Sequence, residues 1–337
     1  MIEIKELSVS FHTYFGEVQA VRGVNLKLED GETLAVVGES GCGKSVTAQS
    51  IMRIHNMEIT EFKSGEILFN GTDLLKISEK EMKNIRGNKI GMIFQDPMTA
   101  LNPTMTVGNQ ISEVLLRHGK NIKGQRLSRA EAKERAVELL QMVKLPNPER
   151  RANQFPHEFS GGQLQRAVTA MAMACSPQIL IADEPTTALD VTVQAQILNL
   201  MKEMQAEKHV SIMIITHDLG VVASIAKKVA VMYGGIIVEA GTVEDIFYRS
   251  KHPYTWGLLD SISRLSKRKG EPLKSIEGTP PDLVKPPAGC PFTDRCDYAM
   301  KVCQDHLPPE RELSENHLCR CWLLDPECPV KLERRRV

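Results

Sequence analysis

One eight-residue stretch limits this chain more than any other. Gly38-Glu-Ser-Gly-Cys-Gly-Lys44-Ser45 spells G-x-x-x-x-G-K-S. It follows an apolar run at 33–37 that suits a buried strand, and a helical stretch begins at Ser45. A strand, a glycine turn and a helix start aim backbone N–H groups inward, where the helix dipole also favours an anion. This is the Walker A arrangement for a nucleotide polyphosphate. Gly38, Ser40, Gly41, Gly43, Lys44, Ser45 and Val46 are the expected phosphate contacts. Lys44 is placed for the β- and γ-phosphates and Ser45 for Mg²⁺. Cys42 fills a free position of the pattern as a small side chain.

A second segment narrows the chemistry. Gln178-Ile-Leu-Ile-Ala-Asp183-Glu184 reads as an apolar strand ending in two carboxylates. Asp183 suits Mg²⁺, a hard cation that prefers oxygen ligands. Glu184 is placed to polarise an attacking water, since phosphoryl transfer asks a protein mainly to position groups and stabilise charge. Upstream, Phe159-Ser160-Gly161-Gly162-Gln163 heads a helical run from Leu164 to Ala174, a second anion-binding helix start.

On these segments the chain resembles the nucleotide-binding subunits of ABC transporters, whose signature is usually Leu-Ser-Gly-Gly-Gln. Phe159 replaces the Leu, a hydrophobic exchange that keeps the packing role. The remaining family elements follow in order. Gln95, in Gly91-Met-Ile-Phe-Gln-Asp-Pro97, matches the Q-loop that couples Mg²⁺ to the membrane subunits. Thr187-Ala-Leu-Asp190 matches the D-loop, and His217 the γ-phosphate contact. Tyr14, beside Phe15, stands where the family stacks an aromatic on adenine. The resemblance implies that Ser160, Gly161, Gly162 and Gln163 act in trans, completing the ATP site of a partner in a head-to-tail dimer. It covers about residues 1–250.

The fold this implies is α/β: a P-loop ABC ATPase with a RecA-like parallel sheet core and an N-terminal antiparallel β subdomain. The residues agree. Residues 1–35 alternate apolar and polar around a Gly-Glu-Val turn, and Ser64–Gly71 reads as another short strand. Strand-like runs at 33–37, 90–94, 178–182, 211–216 and 229–233 alternate with helical stretches, the pattern of a parallel sheet. Between Gln95 and Ser160 no strand pattern appears. Residues 107–118 and 128–144 are helical in character, with a capping-box sequence at Ser128-Arg-Ala-Glu131 and a polar loop at 119–123. We therefore expect a helical subdomain at 96–165 within a nucleotide-binding domain at 1–250.

Beyond residue 250 the character changes. Residues 272–287 are rich in Pro and Gly, and 311–337 read as a charged, irregular tail ending in Arg334–Arg336. Six of the eight cysteines fall after residue 289. With 42 basic and 42 acidic residues, 42% hydrophobic content and no apolar run near the ~20 residues that span a bilayer, the chain reads as cytoplasmic and globular. Nothing in that balance points to nucleic acid. In a reducing compartment, clustered cysteines favour metal over disulfides. The spacing Cys290-x₅-Cys296-x₆-Cys303, then Cys319, Cys321 and Cys328, has no zinc-ribbon pair. Zinc or an iron–sulfur cluster both accept four thiolates, and His306 or His317 can complete a zinc site instead.

A narrower resemblance rests on His252-Pro-Tyr-Thr255, Gly278-Thr-Pro-Pro281, Gly289-Cys-Pro-Phe-Thr-Asp-Arg-Cys296 and Phe94–Pro103. These are similar to the oligopeptide/dipeptide ABC ATPases, whose C-terminal extension, here 251–337, can hold a [4Fe–4S] cluster. Cys290, Cys296 and Cys303 match three ligands. Cys321, followed by Trp-Leu, resembles the fourth better than Cys319. The resemblance implies an ATP- and Mg²⁺-dependent ATPase that energises di/oligopeptide import from the cytoplasmic face of the membrane. Its partners would be a related second ATPase or a copy of itself, two transmembrane permease subunits and, indirectly, an extracytoplasmic peptide-binding protein. Another cargo such as nickel, or a non-transport ABC ATPase, are the alternatives.

Overall fold

A computed structural model describes residues 1–121, 124–187, 189–261 and 276–330. Part of the polar loop at 119–123, Ala188 of the D-loop segment, the start of the Pro- and Gly-rich stretch and the final basic run lie outside these residues. The chain forms two compact units. One comprises Met1–Ile2, Leu28–Thr33 and Phe69–Ile215; the other comprises Glu3–Lys27, Leu34–Leu68 and Thr216–Val337.

In the first unit, Ile90–Ile93, Ile179–Asp183 and Ser211–Thr216 run parallel, side by side. Every residue of the three is buried. Strands covered on both faces need near-continuous apolar sequence, which explains why these runs do not alternate. Helices occupy Pro97–Ala100, Val107–His118, Arg129–Met142, Pro148–Ala152 and Gly161–Ala172, and the described residues between Gln95 and Ser160 contain no named strand. Their apolar faces, including Val107, Ile111, Leu115, Ala136, Leu139, Leu164 and Val168, are buried. The capping box at Ser128 forms as the sequence predicts. Ser128 N donates to Glu131 Oε2 at 2.7 Å, and Glu131 N donates to Ser128 Oγ at 3.3 Å.

In the second unit, Ile2–Thr13 and Gly16–Leu28 make a hairpin beside Thr60–Phe69. Thr33–Val37 pairs parallel with Lys228–Tyr233, and Ile236–Thr242 returns antiparallel to the latter. The tail departs from its expected irregularity. His317–Cys319 pairs antiparallel with Ile236–Thr242, and Arg311–Ser314 adds an outer strand. These strands are four and three residues long, and Glu312, Leu313 and Ser314 are exposed, so neither carries a readable alternation. His317–Cys319 is recruited by a strand some 80 residues earlier, and Arg311–Ser314 folds back on it as a local antiparallel partner.

Gly91 marks a close approach inside the first unit. A Cβ there would lie 2.3 Å from the carbonyl oxygen of Ala172. Gly91→Ala must push the Gly161–Ala172 helix end off the sheet. We expect about 1–3 kcal/mol of destabilisation, the usual penalty of overpacking, seen as a lower urea midpoint with an unchanged slope.

Candidate functional site

The glycine loop is wrapped tightly because backbone, not side chain, surrounds it. Gly38 (φ 152°) and Gly43 (φ 104°) lie in the left-handed region. A Cβ at Gly38 would meet the Met232 carbonyl oxygen at 2.1 Å, and one at Gly43 the Ala20 carbonyl oxygen at 2.4 Å. Only glycine permits both the dihedrals and the approach. Helix Lys44–Met52 starts directly from Gly43. Lys44 is buried, and its ammonium donates to the carbonyls of Gly38 and Glu39, both at 2.8 Å. Ser40 and Gly41 are exposed, and Ser45 and Val46 are half-buried. The loop thus presents a helix N-terminus and a cation at an open edge, an arrangement suited to polyphosphate. Tyr14 and Phe15 are 99% and 85% exposed at the hairpin tip, edge to face with each other. His217 is exposed just after Ser211–Thr216.

The first unit gathers several of the other sequence-selected residues. Asp183 is buried at the end of its strand. Glu184 follows with φ 47°, a left-handed conformation rare for a residue with a side chain. Such strain costs on the order of 1–3 kcal/mol and persists where neighbours fix it. Here Glu184 N donates to the Ile215 carbonyl at 2.9 Å. Glu184 Oε2 accepts from Gln95 Nε2 at 3.3 Å and from Thr187 Oγ1 at 2.8 Å. Three residues chosen from separate motifs therefore meet on one carboxylate oxygen. Asp190 caps helix Val191–Lys208 by accepting from Val193 N at 2.9 Å. Ser160 begins helix Gly161–Ala172, with its N–H donating to Gln163 Oε1 at 3.2 Å; Ser160 and Gly161 are exposed, and Gly162 is half-buried.

The C-terminal cysteines converge in the second unit. Cys290, Cys296, Cys303 and Cys321 line one cavity of about 20 Å³, together with His252, Phe292 and Trp322 among others. A single buried water needs roughly 10–15 Å³ by the same measure. Cys319 and Cys328 do not line it. Cys319 is instead held on its strand opposite Glu239. Burial pushes the Cys290 thiol up to about 11 and those of Cys296 and Cys321 up to about 12, with neighbouring cysteines adding to each shift. Among the described residues, no three His, Cys, Asp or Glu side chains form a group that could hold a single metal ion.

One feature of this region was not read from the sequence. His252 is fully buried in the cavity wall, and burial lowers its pKa to about 4, so the ring is neutral. Its Nδ1 accepts from Tyr254 N at 3.1 Å, which leaves the proton on Nε2, and buried Nε2 has no hydrogen-bond partner. His317, considered as a zinc ligand, lies elsewhere. Its Nε2 is 2.9 Å from Glu239 Oε1, and the ring lies outside the cysteine cavity. His306 also lies outside the cavity wall; its carbonyl accepts from Trp322 Nε1 at 2.9 Å. Only the fold brings His252 to the cysteines.

Comparison with known proteins places this geometry. Residues 21–187 match the ABC transporter family, and residues 238–303 match the oligopeptide/dipeptide transporter C-terminal region. The chain is 60% identical to the oligopeptide transport ATP-binding protein OppD of Bacillus subtilis (strain 168), over 98% of this chain and 90% of that one. It is 54% identical to the dipeptide transport ATP-binding protein DppD of Lactococcus lactis subsp. cremoris (strain MG1363), over 98% of this chain and 92% of that one. Among solved structures it resembles dimeric MJ0796, a bacterial ABC transporter cassette, with a TM-score of 0.64 and 28% identity over 72% of this chain and 99% of that one. A post-hydrolysis state of the same cassette, bound to ADP and Pi, superposes equally well. The chain belongs to the ABC transporter family, among the ATP-binding subunits of its oligopeptide/dipeptide importers.

Proposed function

We propose that this ATPase holds the phosphates of ATP in the Gly38–Ser45 loop and spends hydrolysis on peptide uptake. The wrapped glycine loop with a buried Lys44 is the observation that carries this reading. Gly38, Ser40, Gly41, Gly43 and Val46 surround the phosphates, Lys44 neutralises their charge, and Tyr14 stacks on adenine. Ser45, Gln95 and Asp183 serve Mg²⁺. Glu184 orients and polarises the attacking water, His217 contacts the γ-phosphate, and Gln95 relays Mg²⁺ occupancy toward the permease. Ser160, Gly161, Gly162 and Gln163 close the site of a second ATPase, with Asp190 on the same dimer face. We assign residues 1–250 to the cassette, with 96–165 as its helical subdomain, and 251–337 to the extension.

Lys44→Ala removes a charged donor worth about 1.5–3 kcal/mol, so ATP affinity should fall roughly ten- to hundredfold in equilibrium titration. Glu184→Gln should keep ATP binding and lower turnover by about a hundredfold or more, accumulating a closed dimer on size exclusion with ATP. Near-normal turnover in that variant would remove Glu184 from its role.

No helix among the described residues is long and apolar enough to cross a membrane. We place the chain on the cytoplasmic face, docked on two permease subunits and paired with a related ATPase. A tag on this chain should recover those partners from native membranes, identified by mass spectrometry. Recovery of only self-copies with permease would remove the heterodimer; recovery with a ribosome and no permease would remove transport.

In the extension, we assign Cys290, Cys296, Cys303 and Cys321 as ligands of a [4Fe–4S] cluster. Four thiols lining one cavity support this assignment. The unpartnered His252 N–H on the same wall suits a hydrogen bond to cluster sulfur. When bound, such a cluster supplies a four-point cross-link and a one-electron redox centre. Protein prepared without oxygen should be brown, with iron and sulfide near equal. Cys321→Ser should lose iron and Cys319→Ser should keep it. Zinc without iron would replace the cluster by a zinc site.

A further inference from the structure

The cysteine loop is bonded directly to the glycine loop. Arg295, which precedes Cys296, forms a two-point salt bridge with Glu39, the second residue of the glycine loop. Arg295 Nη1 donates to Glu39 Oε2 at 2.6 Å, and Nη2 to Oε1 at 3.0 Å. The remaining donors are also used. Nη1 reaches Tyr233 Oη at 3.0 Å, Nη2 the Ile276 carbonyl at 3.1 Å, and Nε the Glu277 carbonyl at 2.8 Å. A guanidinium has five N–H donors in a rigid fork, and the structure supplies five acceptors. The Arg295 side chain is 5% exposed.

Glu39 is held at two further points. Its N–H donates to Tyr254 Oη at 2.8 Å, and its carbonyl accepts from Lys44 Nζ at 2.8 Å. Tyr254 is fully buried against Tyr233 and Phe292, with ring centroids 4.4 and 5.3 Å away. Phe292 lies between Cys290 and Cys296 and lines the cysteine cavity. The extension therefore grips the residue whose backbone in turn holds the phosphate lysine.

We infer that Arg295 and Tyr254 are positioning residues for ATP: they fix the Glu39 segment of the phosphate loop, and Arg295 neutralises a carboxylate that would otherwise oppose the polyphosphate. The inference rests on reading Gly38–Ser45 as the ATP loop. Charge explains why the grip is needed. Position 39 is free in the G-x-x-x-x-G-K-S pattern, and a glutamate there adds negative charge where negative charge must bind. Against Arg295 that charge is cancelled and the side chain is tied away by a bidentate pair, which Lys could not reproduce.

A double-mutant cycle on the purified full chain tests this, read as the Kd for a fluorescent ATP analogue. Arg295→Met should raise Kd roughly tenfold, equivalent to about 1.4 kcal/mol of binding free energy. Adding Glu39→Gln should restore most of that loss, because the freed charge is gone. A purely structural arginine would instead give losses that add. Thermal midpoint and cysteine-bound metal are measured on every variant. Tyr254→Phe, which keeps the ring and removes the acceptor of Glu39 N–H, should raise Kd several-fold and serves if Arg295→Met does not fold. Kd within twofold of the parent in both Arg295→Met and Tyr254→Phe, or additive losses in the cycle, would overturn the inference. Lys44→Ala separates the two readings. If it weakens binding roughly ten- to hundredfold while the other variants bind normally, the loop reading stands and the positioning role falls. If it too binds normally, the ATP loop itself is misassigned.

Discussion

Backbone approach at Gly38 and Gly43 is the constraint from which the course of the Gly38–Ser45 loop follows. With main-chain oxygens at the places where Cβ atoms would be, the loop has one wrapped course between strand and helix. That course puts the Gly38 and Glu39 carbonyls where Lys44 Nζ reaches both. A buried ammonium needs such acceptors, since an unpaired charge out of water is costly. If the loop takes a polyphosphate as proposed, the carbonyls hold the lysine in place until those stronger partners arrive. The loop is then preorganised, and little rearrangement is left to the moment of binding.

A second buried charge organises the extension. Glu239 lies on strand Ile236–Thr242 with its side chain fully out of solvent. It accepts from Lys251 N at 2.6 Å, His252 N at 3.2 Å and His317 Nε2 at 2.9 Å. One carboxylate thereby joins a sheet strand, the start of helix Pro253–Asp260 and the added strand His317–Cys319. Removing it would leave two backbone N–H groups and an imidazole unsatisfied together, each costing about 1–3 kcal/mol. The cysteine cavity is built on this joint, because His252 belongs to both.

What the sequence disclosed follows the range of the interactions involved. Strands such as Thr33–Val37 and Ser211–Thr216 are continuous apolar runs, and the capping box at Ser128 spans four residues; each is written locally. The motifs that hold Gln95, Glu184 and Thr187 were legible in the sequence, but their meeting on one oxygen depends on parallel strand register. The tail strands were illegible because they are short, the outer one is mostly exposed, and the sheet strand that recruits His317–Cys319 lies about 80 residues away. The choice between Cys319 and Cys321 turns on where a three-residue strand stops. Cys319 remains in the pleat opposite Glu239, whereas Cys321 has left the strand and turns to the cavity. Arg295 and Glu39 are 256 residues apart, and no spacing rule connects a cysteine loop to a glycine loop.

That last contact changes what a C-terminal extension can be. Here the chain between two cavity cysteines, Cys290 and Cys296, carries both Phe292, packed on Tyr254, and Arg295, paired with Glu39. Whatever fixes those cysteines also fixes the guanidinium and the tyrosine hydroxyl. Coupling free energies are reciprocal. If ordering the cysteine loop tightens the phosphate loop, then filling the phosphate loop must stabilise the ordered cysteine loop by the same amount. On the proposed reading, the extension would then bear on the ATP loop through the Arg295–Glu39 pair and the Tyr254 hydroxyl rather than through the length of the chain between them.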